Sequence, residues 1–376
     1  AGVGEEGYIS PCQKACPAGI NVSGYIALAA AGRYEDSYRL IRRDNPFPSV
    51  CGRICTHNCQ SECNRNNYDS SVAIRDIKRF VADKAFENGI KLENVWPLNG
   101  KKVGIIGAGP SGLTAAYYLA LSGYTVDVYD SAPVAGGVLA FGIPKWRLPK
   151  DVIEREVKAI EAVGVKIHLN TEIGRDKSFD ELRSECDAIY IATGTQFSKK
   201  AGVKGEDLPG VTHGLDFLRD VNLGKKPVVG KKVVVIGGGI TGLETALYIN
   251  RQGTNQVSVV DMLPEWPVDM LDMRYQNEAL LEVRHCNDQG VALFYNNKVV
   301  KFADGKLFIE STKDGEAKAL PADVIVLSVG VKPNDALWQE LLASGHPSVW
   351  KAGDAIATGK INKAVLHGSK FGYSLN

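Results

Sequence analysis

Residues 101–137, KKVGIIGAGPSGLTAAYYLALSGYTVDVYDSAPVAGG, are the stretch that decides the fold. A short apolar run turns at Gly107, Gly109 and Gly112 into an Ala- and Leu-rich helical pattern, and a second apolar run ends at Asp130. Strand, helix and strand in this order form a βαβ unit with parallel strands. We therefore predict an α/β fold with Rossmann-like domains.

Each glycine of this turn has its own physical role. Gly107 permits the tight turn from strand to helix, Gly109 lets the backbone approach a pyrophosphate, and Gly112 lets the helix pack closely on the strand. The phosphates then lie at the helix N-terminus, and Asp130 can accept hydrogen bonds from the adenosine ribose. The residues predicted to bind this dinucleotide are Gly107, Gly109, Pro110, Ser111, Gly112, Asp130, Gly136 and Gly137.

The same pattern occurs a second time further along the chain. In KKVVVIGGGITGLETALYI, residues 231–249, the glycines Gly237, Gly239 and Gly242 follow a strand, and Asp261 ends the next strand. One GxGxxG is weak evidence, because glycine-rich turns are common in α/β loops, but two of them indicate a flavin and a nicotinamide nucleotide. The residues predicted to bind the second nucleotide are Gly237, Gly239, Thr241, Gly242, Glu244 and Asp261.

Length and composition indicate a globular protein of two or three domains. The 376 residues are 44% apolar and 23% charged, and the net charge of +1 favours neither nucleic acid nor an anionic membrane as a partner. No apolar run approaches the ~20 residues that span a bilayer, and the first residues lack the basic and apolar regions of a signal peptide. We expect a cytoplasmic protein without a membrane span.

The cysteines are concentrated near the N-terminus. Six of the eight are Cys12, Cys16, Cys51, Cys55, Cys59 and Cys63. Crowded disulfides belong to small secreted domains, and nothing else in this sequence is typical of a secreted protein. We therefore expect these thiols to bind metal.

Their spacing favours an iron–sulfur cluster over zinc. Cys16 precedes a proline, as the last ligand of an iron–sulfur loop commonly does. The four cysteines from Cys51 to Cys63 recur at four-residue intervals, which would place them on one face of an unbroken helix, although Gly52 favours a mixture of loop and turn. Structural zinc sites usually contain CxxC pairs, and this sequence has none.

Taken together, the motifs resemble those of the glutamate synthase small subunit. The N-terminal half of dihydropyrimidine dehydrogenase and the large subunit of the electron-bifurcating ferredoxin:NADP oxidoreductase are also similar. The motifs that carry the resemblance, in the family's order, are the cysteine segment, DNPFP at 44–48, GAGPSG at 107–112, GGVLAFGIPKWRLPK at 136–150, ATG at 192–194, the second GxGxxG and AGDA at 352–355.

The resemblance implies three domains. Residues 1–97 would form an α-helical [4Fe–4S] domain, residues 98–224 and 330–376 an FAD-binding Rossmann domain, and residues 225–329 a nicotinamide-binding Rossmann domain. In the family, one cluster is held by residues that match Cys16, Cys55 and Cys59, plus a side chain near Lys78, which cannot ligate iron while it is protonated.

The fourth ligand and the number of clusters are left open by the sequence. The resemblance implies one [4Fe–4S] cluster with Cys51 as the fourth ligand, or else Cys12 or Cys63. The family carries two further cysteines before the position of Cys12, and this chain lacks them. The remaining thiols would then belong to a remnant site or to a second cluster shared with a partner.

Two more segments belong to the flavin site by resemblance. Thr193 and Gly194 lie where the chain leaves the flavin domain, and Gly353 and Asp354 lie where it returns. In the family this aspartate accepts hydrogen bonds from the FAD ribitol, and the helix that follows points its N-terminus at the flavin. The loop at 141–150 is either a solvated basic loop or a cofactor contact through Arg147 or Lys150.

The second nucleotide is predicted to be NAD(H) rather than NADP(H). A carboxylate at Asp261 accepts a bond from the free ribose hydroxyl of NAD and repels the 2′-phosphate of NADP. Members that use NADPH carry arginines here, and Arg274 is the nearest candidate for that role in this chain. Glu244, one turn into the helix, either approaches the nicotinamide end or lies on the surface.

These features predict a flavoprotein electron-input subunit. It would move electrons between NAD(P)H and a partner subunit or ferredoxin-like protein of a hetero-oligomeric complex, through FAD and one or two [4Fe–4S] clusters. Hydride transfer between cofactors needs no catalytic acid or base, so no catalytic side chain is predicted. The alternatives are the nicotinamide and flavin module of an enoate or dienoyl-CoA reductase-like enzyme, which MLPEWPVDM and GDAIATGKINKAVLHG favour, and a non-catalytic electron conduit or assembly subunit.

Overall fold

The structure is a computed structural model that describes residues 9–89, 95–253, 256–264, 276–345 and 351–374, without the side chains of 276–280. The chain divides into two compact units. The first comprises Ala1–Ala140, Trp146–Thr195 and Pro333–Asn376, and the second comprises Phe141–Lys145 and Gln196–Lys332.

The described residues form helices and strands in a mixed order. The helices are α1 Pro11–Lys14, α2 Val22–Ala30, α3 Tyr34–Asp44, α4 Pro48–Ile54, α5 Asn58–Ser61, α6 Ile74–Glu87, α7 Pro110–Leu121, α8 Val138–Phe141, α9 Lys150–Glu161, α10 Phe179–Glu185, α11 Gly214–Asn222, α12 Ile240–Asn250, α13 Gln276–Asp288, α14 Ala336–Ala343 and α15 Ile361–Ser374. The strands are β1 Lys102–Ile106, β2 Thr125–Tyr129, β3 Lys166–His168, β4 Ala188–Ile191, β5 Phe197–Ser198, β6 Val211–His213, β7 Lys232–Ile236, β8 Gln256–Val260, β9 Ala292–Phe294, β10 Asn297–Ala303, β11 Lys306–Ser311, β12 Ala317–Pro321, β13 Val324–Leu327 and β14 Val331–Lys332.

The first unit contains a parallel sheet with strand order β3-β2-β1-β4. β1 and β2 are the two apolar runs of the βαβ unit, and all but the first residue of each is buried. Helix α7 joins them, and most of its side chains are buried too. The predicted α/β fold with a Rossmann-like βαβ unit is confirmed.

The N-terminal part of the first unit, α1 to α6, is helical as predicted. Its core contains Tyr25, Tyr38, Ile41 and Val81, each at most 2% exposed. α4 and α6 approach closely because Gly52 has no side chain: a Cβ there would lie 2.8 Å from the backbone of α6.

A buried carboxylate helps to join this helical segment to the sheet layer. Glu156 on α9 is fully buried and accepts hydrogen bonds from the backbone N–H groups of Ser49 and Val50 in the first turn of α4. The first turn of a helix has N–H groups without intrahelical partners, so Glu156 satisfies two of them. It thereby fixes the helix that precedes Cys55.

The second unit is built on a five-stranded parallel sheet with strand order β6-β13-β7-β8-β9. β10, β11 and β12 form an antiparallel sheet beside it, and β5 pairs with β14. Residues 196–224, which the sequence analysis assigned to the flavin domain, supply β6 and α11 to this unit, because β6 pairs with β13. The division into three domains stays a prediction.

Candidate nucleotide and iron–sulfur sites

The turn between β1 and α7 fits the roles predicted for its glycines. Gly107 has φ +112°, and a Cβ there would overlap the carbonyl oxygen of Ala192; a Cβ on Gly112 would overlap the carbonyl oxygen of Gly107. Gly109 differs, because the nearest atom to a Cβ there would be the Cα of Gly137 at 4.0 Å. The chain's own packing therefore requires the outer two glycines, while the middle one borders open space.

Open space and hydrogen-bond donors are both present at the N-terminus of α7. Gly109 is the N-cap of α7, and no side chain caps the first-turn N–H groups. Such groups bind phosphate when a ligand can reach them. Gly136 and Gly137 have φ +118° and +56°, and the Gly136 N–H donates to Ala108 at 2.8 Å, which fixes this second loop against the turn.

Asp130 closes the turn from the end of β2. Its carboxylate accepts the backbone N–H of Ala108 at 2.7 Å and that of Ala132 at 2.9 Å. It is 8% exposed, and burial raises the pKa of its carboxyl. Each carboxylate oxygen has a second lone pair, so the predicted ribose contact remains open to it.

The C-terminal segment, from Gly353 to α15, covers the turn between β1 and α7. Gly353 has φ +60°, and a Cβ there would lie 2.8 Å from the Cβ of Ser111, in the first turn of α7. The Ser111 hydroxyl also lies 2.9 Å from the hydroxyl of Tyr190. Helix α15 packs on α7 at Gly368, where a Cβ would overlap the Ser111 carbonyl oxygen. Only glycine allows such close packing at these two points.

Asp354 carries an unsatisfied oxygen at this place. Oδ2 lies 3.4 Å from the hydroxyl of Thr195, whereas Oδ1 is buried with no hydrogen-bond partner among the described residues. Burial raises the pKa of this carboxyl, against the opposing effect of Thr195. A buried polar atom without a partner is rare in proteins, so Oδ1 fits the contact with a ligand hydroxyl that the resemblance implies.

Thr193 and Gly194 hold the returning chain. The Thr193 hydroxyl donates to the carbonyl of Asn334 at 2.6 Å, and the carbonyl of Gly194 accepts the Asn334 N–H at 2.7 Å.

In the basic loop at 141–150, Lys150 Nζ donates to the carbonyl of Ala140 at 2.8 Å, and burial lowers the pKa of Lys150 to about 8.

The second turn repeats the geometry of the first. Gly237 has φ +105°, and a Cβ there would overlap the Ser328 carbonyl oxygen; a Cβ on Gly242 would overlap the Gly237 carbonyl oxygen. A Cβ on Gly239 would meet nothing within 4 Å, and no side chain caps the helix. Both turns thus contain the open space that a bound pyrophosphate needs.

The acidic residues of the second turn lie in different environments. Asp261 accepts the N–H of Gly238 at 2.5 Å and that of Leu263 at 2.8 Å, and it is half-buried. Thr241 is exposed in the first turn of α12, whereas Glu244 is 2% exposed. The surface position considered for Glu244 is therefore wrong, since its side chain faces the interior of the unit.

The six N-terminal cysteines are free thiols on a broken helical path. α4 ends at Ile54, and Cys55 follows in an extended conformation. His57 then adopts a left-handed conformation with φ 42° before the short helix α5 begins. The four-residue spacing therefore does not place the thiols on one helix face, and loop and turn geometry decide which sulfurs meet.

Three of the cysteines converge on one cavity in the first unit. Cys16, Cys55 and Cys59 line it together with Lys78 and Asn362, and the other lining residues are Pro17, Ile20, Val22, Tyr25, Thr56 and Asn58. Among the described residues, no three His, Cys, Asp or Glu side chains are placed to hold a single metal ion. Thiols spread around a cavity suit a polynuclear cluster better than one zinc ion.

The other predicted ligands lie outside the lining of this cavity. Cys51 is 5% exposed on α4, and its sulfur lies 3.8 Å from Asn45 Oδ1. Cys12 lies on α1 with its sulfur 3.2 Å from the Ser10 hydroxyl. Cys63 precedes the 3₁₀ turn Asn64–Asn67.

Lys78 gives the cavity a positive charge. It is 7% exposed, and the nearby Cys55, Cys51, Tyr25 and Cys16 raise the pKa of its ammonium group despite burial. Burial raises the pKa of the Cys59 thiol to about 12, and Lys78 opposes that rise. A buried cation needs a negative partner, and thiolate ligands around an iron–sulfur cluster would supply one. The residues present therefore fit such a cluster.

The sequence analysis missed two residues of these sites. His367 accepts the Gly353 N–H through Nδ1 at 3.0 Å and so fixes the turn that carries Asp354. Asn362, in the first turn of α15, lines the cysteine cavity. Apart from the position of both residues in the helix after AGDA, no sequence pattern indicates either contact, because both contacts depend on tertiary folding.

Comparison with known proteins identifies two families along the chain. Residues 101–365 match the model described as pyridine nucleotide-disulphide oxidoreductase, and residues 7–90 match the one described as dihydropyrimidine dehydrogenase domain II, 4Fe-4S cluster. In the part of the chain that the structure describes, no helix is long and apolar enough to cross a membrane.

Individual relatives point the same way. The NADP(+)-dependent formate dehydrogenase subunit beta of Moorella thermoacetica is 42% identical over 276 residues, which cover 67% of this chain and 39% of that protein. The glutamate synthase [NADPH] small chain of Escherichia coli is 32% identical over 354 residues, 87% of this chain and 75% of that one. The chain thus spans about two fifths of the formate dehydrogenase subunit.

A solved structure agrees with these matches. The complex of 2-naphthoyl-CoA reductase with 2-naphthoyl-CoA aligns with a TM-score of 0.62 and 28% identity over 74% of this chain and 40% of that one. The resemblance inferred from the motifs is confirmed. The chain belongs to the pyridine nucleotide-disulphide oxidoreductase family, in the group of FAD, NAD(P) and 4Fe-4S oxidoreductases that includes the glutamate synthase small chain.

Proposed function

We propose that this chain is the electron-input part of a larger oxidoreductase, which takes electrons from a nicotinamide nucleotide and delivers them to a partner protein. The observation that carries this proposal is the position of α15. Asn362, in the first turn of α15, lines the cysteine cavity. Gly368, further along α15, packs against the first turn of α7. The same helix therefore borders both proposed redox sites.

The chain's own residues hold the cofactors and do no acid–base chemistry. FAD, when bound, would supply hydride-acceptor chemistry towards the nicotinamide and one-electron transfer towards an iron–sulfur cluster. The first-turn N–H groups behind Gly109 and Gly239 bind the two pyrophosphates, and Asp130 and Asp261 orient the adenosine riboses. Asp354, fixed by His367, accepts a hydrogen bond from the flavin side chain.

Cys16, Cys55 and Cys59 are the ligands we propose for one [4Fe–4S] cluster. The three residues line one cavity together with Lys78, whose positive charge would offset that of thiolate ligands there. For the fourth ligand we retain Cys51, a buried thiol on α4 four residues before Cys55. Cys12 and Cys63 remain the thiols of a second or remnant site.

For the nucleotide we propose NAD(H), on the charge of Asp261. Its carboxylate is fixed by two backbone N–H groups at the end of β8, where a 2′-phosphate would meet a like charge. The relatives reported above are named for NADP(+) and NADPH, so preference for NAD would be a property of this chain. Arg274, the candidate partner of a 2′-phosphate, lies outside the described residues.

A second candidate function is the nicotinamide and flavin module of a reductase acting on an unsaturated thioester. The likeness to 2-naphthoyl-CoA reductase favours it.

The partner in our main proposal would be another subunit or a ferredoxin-like protein, since relatives are named as a subunit beta and a small chain. We propose a cytoplasmic location for the assembly.

The test is an anaerobic titration of the purified protein with NADH and, separately, with NADPH. Flavin absorbance near 450 nm and the EPR signal of the reduced cluster would be followed together. We expect NADH to bleach the flavin and to produce the cluster signal at lower concentration than NADPH. Bleaching by NADPH alone would overturn the assignment from Asp261, and a flavin that neither nucleotide reduces would leave the non-catalytic conduit as the better interpretation.

A further inference from the structure

A buried lysine in the cysteine cavity has no partner within the described chain. Lys78, on α6, is 7% exposed and lines the cavity with Cys16, Cys55 and Cys59. Among the residues that the structure describes, its ammonium group forms neither an ion pair nor a hydrogen bond. A buried charge is costly unless an opposite charge compensates it. The compensating charge must therefore come from the thiolates or from a group that they bind.

Helix packing fixes the position of this lysine. α6 lies directly against α4 at the next residue, because a Cβ on Gly52 would lie 2.8 Å from Arg79 Cα. The carbonyl of Ile74, one turn before Lys78, accepts the buried hydroxyl of Tyr25 at 2.9 Å. α6 cannot slide or rotate without breaking these contacts. The ammonium group is therefore held at the cavity by the fold.

The Cys55 side of the cavity also favours negative charge. The backbone N–H of His57, in its left-handed conformation, donates to Cys55 Sγ at 3.4 Å. Arg75 donates through Nη1 to the carbonyl of Cys55 at 3.1 Å. Net charge and hydrogen bonds to the sulfurs are two of the properties that set the reduction potential of an iron–sulfur cluster. Lys78 contributes the first property here, and His57 contributes the second.

A structural role alone does not explain a charge at this position. Two other buried charged residues of the first unit have partners in the chain. Arg42 lies over the ring of Tyr117 and donates to the carbonyl of Pro46, and Glu156 accepts two backbone N–H groups. An apolar side chain of similar volume would fill the place of Lys78 without a buried charge, and such replacements are often neutral or stabilising.

We propose that Lys78 raises the reduction potential of the [4Fe–4S] cluster and so favours electron transfer to it from the reduced flavin. This inference rests on the proposed function. In that transfer the flavin loses one electron and the cluster gains it, while Lys78 keeps its proton. A cation that is fixed in the same cavity stabilises the added negative charge, and burial keeps solvent from screening it.

The test measures the potentials of the cluster and the flavin in one experiment. The wild-type holoprotein and Lys78→Met would be titrated anaerobically with dithionite in the presence of redox mediators. EPR would follow the cluster, and absorbance would follow the flavin. We expect the equilibrium constant for reduction of the cluster to fall at least about tenfold, which corresponds to about 59 mV for one electron. The flavin potential should not change, and a general structural defect would not produce this selectivity.

Two further variants separate the charge from the size and polarity of the side chain. Lys78→Arg keeps the charge and should keep the potential near that of the wild type. Lys78→Gln keeps a polar group without the charge and should behave as Lys78→Met does. Lys84→Met is the matched control on the same helix, because the Lys84 side chain is 40% exposed and pairs with Glu87. It should change neither potential.

The iron content of each variant completes the test. If Lys78→Met and Lys78→Gln lose the cluster while Lys78→Arg retains it, the charge is needed to hold the cluster, which supports the inference. An unchanged potential in a loaded Lys78→Met or Lys78→Gln protein contradicts it, and so does loss of the cluster from all three variants. If the fully reduced wild-type protein gives no cluster signal, the proposed function fails as well.

Discussion

The flavin-type turn at Gly107 and the nicotinamide-type turn at Gly237 can be compared bond by bond. Each glycine donates its N–H to the carbonyl that ends the neighbouring strand, at 2.8 Å in both cases. Each turn is also held by an aspartate, Asp130 or Asp261, which accepts the N–H of the residue after that glycine. The backbone of the two nucleotide sites is therefore built in the same way.

The two turns differ in what lies over them. Ser111 in the first turn of α7 is 6% exposed and packs against Gly353, whereas the equivalent Thr241 in α12 is exposed. Helices α11 and α13 pack on α12, but its first turn is left open at Thr241. A covered turn suits a cofactor that stays bound, and an open turn suits a nucleotide that must leave after each turnover.

The largest effect that tests this comparison is expected at Gly368. In Gly368→Ala the new Cβ would overlap the Ser111 carbonyl oxygen and lie 2.7 Å from Thr114 Cβ. Since backbone cannot yield easily, we expect about 3 kcal/mol of destabilisation, at the upper end for overpacking, together with loss of FAD. Urea unfolding and the flavin-to-protein ratio would measure both.

A control on the same helix distinguishes packing from a general helix effect. Ser374 lies in the last turn of α15, and its hydroxyl contacts only the carbonyl of Phe371 among the bonds described. Ser374→Ala should keep stability and flavin content. If Gly368→Ala also keeps its FAD, the covering helix is not what retains the cofactor.

The second effect concerns the middle glycine of each turn. Gly109→Ala and Gly239→Ala place a methyl group where the chain itself has room, 4.0 Å from the nearest atom in the first case and with nothing within 4 Å in the second. We expect little change in melting temperature and at least about a tenfold loss of affinity, each for its own nucleotide, because the methyl group displaces the pyrophosphate from the turn. FAD content and dinucleotide binding would be measured on both variants.

The two variants would contradict the comparison if each lost the nucleotide assigned to the other turn. A Gly239→Ala protein that lost FAD, or a Gly109→Ala protein that lost only the dinucleotide, would mean that the two sites are assigned the wrong way round. Gly237→Ala is the structural counterpart. Its Cβ would overlap the Ser328 carbonyl oxygen, so that variant should lose stability as well as binding.

The sequence alone predicted those parts of the site that lie within one βαβ unit. A turn and the aspartate that closes it, such as Gly107 and Asp130, are separated by one helix and one strand, so their spacing encodes their contact. The α/β fold followed from the same pattern. The ligand roles of these residues remain predictions, as the geometry is compatible with them without testing them.

Contacts between distant segments could not be predicted in this way. Asn362 reaches the cavity of Cys16 only because α15 packs on α7, and His213 pairs with Leu327 only because β13 enters the sheet beside β6. The cysteine spacing was also ambiguous, since a left-handed residue at His57 redirects the chain between Cys55 and Cys59. Such choices depend on tertiary packing and leave no periodic pattern in the sequence.

The smallest expected effect is the difference between the two aspartates when each is changed to asparagine. Asparagine keeps one acceptor oxygen, so each variant loses one of two backbone hydrogen bonds. The amide oxygen can keep the bond to Ala108 or Gly238, so the bond lost is the one to Ala132 beside Asp130 or to Leu263 beside Asp261. Ala132 is half-buried and Leu263 is 42% exposed, so water replaces the lost partner more easily at Asp261. We expect Asp130→Asn to cost about 2 kcal/mol and Asp261→Asn about 1 kcal/mol, because the less accessible N–H carries the larger penalty when it is left unsatisfied.

Urea unfolding after removal of FAD would measure this difference, because bound FAD would stabilise a tight-binding protein more than a variant that binds it weakly. The nicotinamide nucleotide would be left out, because it would stabilise the second unit through Asp261. Equal shifts in the two variants would mean that water reaches Ala132 as easily as Leu263, and the contrast between a covered and an open turn would then not extend to the strand ends that hold them.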